Sequence, residues 1–92
     1  MWNHADLTDE TLRTLLKSGA ITFGGNRDAQ IYGTLACKQG KRLRRDQRVF
    51  FADATEAHAH GYQPCYSCMR AAYRRWEAER QHTDANRDNN QT

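Results

Sequence analysis

Gly61-Tyr62-Gln63-Pro64-Cys65-Tyr66-Ser67-Cys68-Met69 places two cysteines in a Cys-x-x-Cys turn immediately ahead of a helical stretch, and the third cysteine of the chain stands well upstream at Cys37. Two sulfurs at this spacing point at one ion, and a helix that follows turns its first backbone N–H groups toward the thiolates. Zinc takes four ligands, so the pair needs partners from elsewhere, and Cys37 is the third. From the residues alone a metal site, a redox pair and inert buried thiols all stay open. The redox reading requires a strand leading into the pair within a βαβ unit. Gly61-Tyr62-Gln63-Pro64 does not read as a parallel core strand, and no βαβ pattern surrounds it.

Size makes a metal useful. The chain has 92 residues, 38% of them hydrophobic, and a single domain of this length buries too little surface to be comfortably stable from apolar contact alone. Residues 1–80 form that domain; residues 81–92 contain only Ala85 as an apolar residue and read as a disordered polar tail. An odd number of cysteines argues against a disulfide scaffold, and Met1-Trp2-Asn3-His4-Ala5-Asp6 has neither a basic nor an apolar leader region. No apolar run reaches the roughly 18 to 20 residues that cross a bilayer. The expectation is a cytoplasmic monomer without a membrane contact, in a compartment where thiols stay reduced.

Outward from the cysteines, the pattern predicts an α+β domain. Thr8 caps a helix whose Leu12, Leu15 and Leu16 share one face, with Lys17 in its last turn and Gly19 as its stop. Ile21-Thr22-Phe23 and Gln30-Ile31-Tyr32 read as a hairpin, interrupted by Gly24-Gly25-Asn26 and turned at Arg27-Asp28-Ala29. Arg48-Val49-Phe50-Phe51 is the third and most apolar strand. Asp53-Ala54-Thr55-Glu56 has capping-box spacing and opens a short middle helix stopped at Gly61. Met69, Ala72, Tyr73 and Trp76 then form the apolar stripe of a C-terminal helix packed on a small antiparallel sheet.

The formal net charge is +3, but its distribution is uneven: Lys38, Lys41, Arg42, Arg44, Arg45 and Arg48 fall within eleven residues, opposed there only by Asp46. This basic loop is the candidate nucleic-acid surface, with phosphates as its natural ligands and Arg74 and Arg75 as an extension. A solvated loop with charges for solubility is the competing reading.

Ile31-Tyr32-Gly33-Thr34-Leu35-Ala36-Cys37, Arg48-Val49-Phe50-Phe51, Glu56-Ala57 and Gly61 to Cys68 together resemble the zinc-binding domain at the amino terminus of the Ada DNA-repair and transcription proteins. The resemblance runs from Gln30 to Met69. In that family four cysteines hold zinc, and one accepts a methyl group from a damaged DNA phosphate, which tightens DNA binding. Position by position, Cys37, Cys65 and Cys68 match three ligands, and the methyl-accepting cysteine falls on Gly33. Glycine offers no thiolate, so the resemblance implies a zinc module without that activity. Gly40 stands where the family pattern carries an arginine, which points to weak or non-specific DNA binding.

The fourth zinc ligand is then sought among His4, His58, His60, His82 and water. His82 lies in the polar tail, and His58 and His60 are two apart on a helix and point to different sides. His4, on a segment ahead of the first helix, is the preferred choice. Three thiolates and an imidazole leave a site of charge −1 rather than the −2 of four thiolates, and its sulfurs are correspondingly less nucleophilic. Two further functions remain in view: a structural or protein-interaction zinc module, and a methyl acceptor that uses Cys37.

Overall fold

The computed structural model describes residues 1–91, with side chains for all of them except Gln39 and residues 81–91. A short strand β1 (Trp2–Asn3) and one 3₁₀ turn (His4–Asp6) lead to helix α1 (Asp9–Lys17), followed by strands β2 (Phe23–Asn26) and β3 (Ile31–Thr34). A single helical turn α2 (Lys38–Lys41) and a 3₁₀ turn (Arg45–Gln47) lie in the basic loop before β4 (Arg48–Phe51). Helix α3 (Ala54–Ala59), strand β5 (Gln63–Pro64) and helix α4 (Arg70–Gln91) complete the chain. The strands form one sheet in the order β1-β4-β2-β3-β5, antiparallel except for the β3–β5 pair. The expected α+β fold is present, with helices at both ends and a short one between. Residues 81–91, expected to belong to a disordered polar tail, have the backbone of α4 here, and their side chains lie outside those described.

The helix boundaries follow from local chemistry. The Thr8 hydroxyl accepts from the Thr11 N–H at 3.1 Å, and the Asp53 carboxylate accepts from the Glu56 N–H at 2.8 Å, so each cap satisfies an amide that has no partner inside its helix. Gly19 and Gly61 follow the ends of α1 and α3 with φ of 78° and 81°, where a side chain would be strained.

Two expectations about the sheet are corrected. Gly24, Gly25 and Asn26 do not interrupt the second strand; they form it. Gly25 is pressed against the core so closely that a β-carbon would meet the Ile31 carbonyl oxygen, Val49 and Phe51 all at 3.1 Å. The glycine is there because the strand is packed, not because the chain turns. Gln63–Pro64, which does not read as a parallel strand, pairs parallel with Ile31–Tyr32 of β3. Only two residues take part, too few for a hydrophobic pattern, and a proline is tolerated because β5 is the sheet edge. This is not the βαβ unit of a redox fold, since β4 of the same sheet lies between β3 and β5 in the chain.

Alternation along the strands divides the sheet into two faces. One face carries Tyr32, Val49 and Phe51, which with Ala57 and Tyr62 form the buried core under α3, joined by Phe23, Ala54 and Met69. Ring contacts run through it: Phe51 meets Tyr62 at 4.8 Å and Phe23 meets Tyr32 at 5.5 Å between centroids. Of the expected α4 stripe, Met69 packs on this core, Ala72 and Trp76 border a hollow with Phe23 and Tyr32, and Tyr73 turns instead to Tyr66 at 5.2 Å. The other face carries Ile31, Gly33, Gly24, Asn26, Arg48 and Phe50, and the basic loop crosses it.

Phe51 is fully buried. Phe51→Ala is expected to destabilise the domain by about 3 to 5 kcal/mol, a large part of what a domain of this size has. Urea unfolding of the zinc-loaded protein checks this; a loss under about 1 kcal/mol would mean that the core lies elsewhere.

Candidate metal centre

Three separate elements deliver one sulfur-bearing segment each. Cys65 directly follows β5, and its N–H donates to the Tyr32 carbonyl at 2.7 Å, so the short parallel ladder sets Cys65 beside Gly33. Cys37 follows β3 through a turn in which its N–H donates to the Thr34 carbonyl at 3.1 Å. Cys68 lies between that turn and α4; the Met69 N–H donates to the Cys65 carbonyl at 3.0 Å, which closes the Cys-x-x-Cys loop into the helix. The ligand atoms of Cys37, Cys65 and Cys68 all lie within 4.8 Å of one another. Cys37 and Cys65 are buried and Cys68 is half-buried.

This donor set fits zinc. At about 2.3 Å from a tetrahedral ion, sulfurs stand about 3.8 Å apart, a small closure from the spacing present. No other group of three metal-ligating side chains is gathered among the described residues. Burial pushes the Cys68 thiol up to about 11; hydrogen bonds with Cys37 and Cys65 add to this, while the backbone and hydroxyl of Thr34 act against it. Without a cation the Cys68 sulfur therefore favours the protonated form, and a divalent ion reverses that preference.

Gly33 faces the cluster. A β-carbon placed on it would stand 2.7 Å from Cys68 Sγ, 3.3 Å from Cys65 Cβ and 3.8 Å from Cys37 Cβ. The position that matches the missing ligand is thus at the site in space, and the Cys68 sulfur occupies the room that a side chain there would need.

None of His4, His58 and His60 joins the cysteines. His4 follows β1, three strand positions from β3 and so about 14 Å away at the usual strand spacing. Its ring packs edge-on to Phe50 at 5.3 Å, and its buried Nδ1 has no hydrogen-bond partner. Burial, then the charges of Arg45 and Arg48, lower its pKa, with Asp9 opposing. The segment does fold onto the sheet as the sequence suggests, but onto β4. His58 Nε2 lies 3.0 Å from the Tyr32 hydroxyl and His60 packs near Phe51, both on the core face. His82 lies outside the described side chains.

The six cations of the basic loop are also separated. Lys38, Lys41, Arg42 and Arg44 are exposed. Arg45 donates to the carbonyls of His4, at 3.3 Å, and Leu7, and pairs with Asp9 at 3.1 Å, fastening the amino-terminal segment to the loop. Arg48 is half-buried with its guanidinium 5.4 Å from the Phe50 ring centre. Arg75 borders the hollow beside Tyr32 and His58, on the core face and away from the loop. Thr34, next to Cys68, is a participant that the sequence does not signal.

Metal binding should supply much of the folding free energy. Cys65→Ser, or removal of metal by a strong chelator, is expected to abolish the native circular dichroism spectrum; a folded, dispersed Cys65→Ser variant would overturn this. Cys68 adds a pH dependence. Its pKa lies above the ordinary 9.0, so in the absence of metal it keeps its proton across the neutral range. Zinc has to displace that proton, so zinc affinity should rise about tenfold per pH unit between pH 6 and 8 from this group alone. Competition with a chromophoric chelator measures it, and a pH-independent affinity would show that Cys68 is not a ligand.

Comparison with known proteins bears on the same residues. No curated protein and no solved structure matches the chain. The family model described as the metal binding domain of Ada matches residues 18–70, which include β2 to β5, all three cysteines and Gly33. With more than half of its length matched and its cysteines gathered at the matched positions, the chain belongs to the family of the Ada metal-binding domain.

Proposed function

We propose that this zinc-binding domain holds DNA through its phosphate backbone, with weak or no sequence preference and without accepting methyl groups. The observation that carries the reading is the continuity of ligand and charge. Cys37 is followed at once by Lys38, Lys41, Arg42 and Arg44, all exposed, on the turn and loop whose start the metal would fix. Arg44 approaches Asp46 at 3.3 Å, but both are exposed, and such a pair costs little to exchange for a phosphate. Arg45 and Arg48 serve the fold and the inner face, so the binding surface is smaller than the charge run.

A methyl acceptor needs an accessible thiolate on the metal. Gly33 supplies none, and Cys37, the remaining candidate for that role, is 9% exposed and part of the cysteine cluster. The competing function is a protein-interaction module. Its usual mark is a contiguous apolar patch. The large exposed apolar side chains among the described residues, Met1, Leu16 and Tyr66, belong to three separate segments, which favours the electrostatic reading.

Four phosphate contacts give a slope of about −3.6 in log affinity against log salt concentration. Fluorescence anisotropy with a short DNA duplex should show a slope between about −3 and −4. Lys38→Glu/Arg44→Glu should abolish binding near physiological salt with the zinc content unchanged. Salt-independent binding, or an unaltered double variant, would move the function to a protein partner.

A further inference from the structure

The side of the cysteine cluster that faces Gly33 opens into a cleft. Gly33 pairs with Gly24 across β2 and β3, and both belong to the face of the sheet away from the core. Two side-chain-free positions side by side form its floor, open at Gly24 and bounded at Gly33 by the Cys68 sulfur. The roof is the basic loop, through Gly40 and Leu43. Cys37 and Cys65 form one end, and Ile31, Asn26 and Arg48 form the other. A second hollow touches Cys37 and Cys68 from outside, beside Lys38 and Ser67, but Gly33 has no part in it. The cleft has a volume of about 60 Å³, room for about four waters. A nucleotide is far too large for it.

Arg48 gives the far end a charge. It shares the face of Gly24 and Phe50, and its guanidinium leans along β4 over the Phe50 ring. That ring is also the neighbour of the Gly24 floor, with Cδ1 at 3.9 Å from where a Gly24 β-carbon would be. No carboxylate pairs with Arg48 among the described residues, in contrast to Arg27, Arg44 and Arg45. A half-buried guanidinium without a counter-ion is a binding group for a small anion.

We propose that the fourth position of the metal site is filled from outside the chain, by a small anionic thiol whose sulfur joins Cys37, Cys65 and Cys68 and whose acid group meets Arg48. This rests on the zinc-site reading and adds a ligand to it. Sulfur is the donor because a metal held by thiolates is a soft partner. The ligand is anionic because Arg48 ends the cleft, and it has about five non-hydrogen atoms because the volume admits no more. On binding, the thiol would give its proton to solvent and its sulfur would take the fourth position beside Cys37, Cys65 and Cys68; nothing is oxidised or reduced.

Cobalt(II) in place of zinc gives the test a spectroscopic readout that needs no activity. The cobalt-loaded protein is titrated with mercaptoacetate, which has five non-hydrogen atoms, with uncharged 2-mercaptoethanol and with acetate. Mercaptoacetate should shift the visible cobalt bands and deepen the sulfur charge-transfer absorption at concentrations at least tenfold below those of 2-mercaptoethanol, and acetate should be inert. Arg48→Gln should remove the preference between the two thiols. Gly33→Cys, which requires the Cys68 sulfur to move aside, should show the four-thiolate spectrum from the start and ignore both. A silent wild-type spectrum, equal response to the two thiols, or cobalt appearing in the filtrate in place of a shifted band would overturn the proposal. The wild-type comparison of the two thiols decides even if Arg48→Gln fails to fold. Absence of any sulfur-to-cobalt absorption in the wild-type protein would instead overturn the three-thiolate site itself, and the added ligand with it.

Discussion

A single backbone hydrogen bond at the edge of the sheet, from the Cys65 N–H to the Tyr32 carbonyl, determines where the metal-binding residues meet. Tyr32 is anchored in the core by its ring, so its carbonyl is a fixed point. The bond places Cys65 next to Gly33, and the turn after β3 brings Cys37 back to the same place. Shifting β5 by one residue would exchange the faces of its side chains and carry the Cys-x-x-Cys turn away from Cys37. The two-residue strand is too short to hold this register alone, and zinc across Cys37, Cys65 and Cys68 would lock it. Strand pairing and metal ligation are therefore one cooperative unit in this domain.

The two faces of the sheet divide the work between stability and binding. The core face is filled by rings from β2, β3, β4 and the segment after α3, and the glycine on it, Gly25, has no room for a side chain. The opposite face is roofed only by a loop; Gly24 leaves space there, while the room beside Gly33 is taken by the Cys68 sulfur. The same residue type thus serves close packing on one side and an opening on the other. Charge follows this division as well. Arg45 fastens the amino-terminal segment, Arg48 turns inward over Phe50, and the remaining cations of the loop point to solvent.

Loss of the fourth cysteine changes the electrostatics of the site as well as its chemistry. Three thiolates around a divalent cation carry a net charge of −1, and the cation stays more electrophilic than it would under four. No imidazole from the described part of the chain makes up the set. With Gly33 at the matching position, a fourth donor to such a centre has to come from elsewhere.

The sequence by itself determined helices α1 and α3 and the first turns of α4, the β4 strand, the candidate ligands Cys37, Cys65 and Cys68, and the family. These are written in local signals: Thr8 and Asp53 as caps, Gly19 and Gly61 as stops, the apolar run Val49-Phe50-Phe51, and a cysteine spacing that zinc geometry requires. Tertiary structure alone decided the rest. Trp2–Asn3 and Gln63–Pro64 are too short to show a strand period and pair only because neighbouring strands offer free edges. Gly24-Gly25 looks like a break until Val49 and Phe51 stand against it. His4 is chemically fit to be a ligand, but β1 pairs with β4 and leaves it near the opposite edge of the sheet from the sulfurs. Which of six adjacent cations faces solvent, a backbone carbonyl or a cleft depends on how the loop lies across the sheet, and composition carries no record of that.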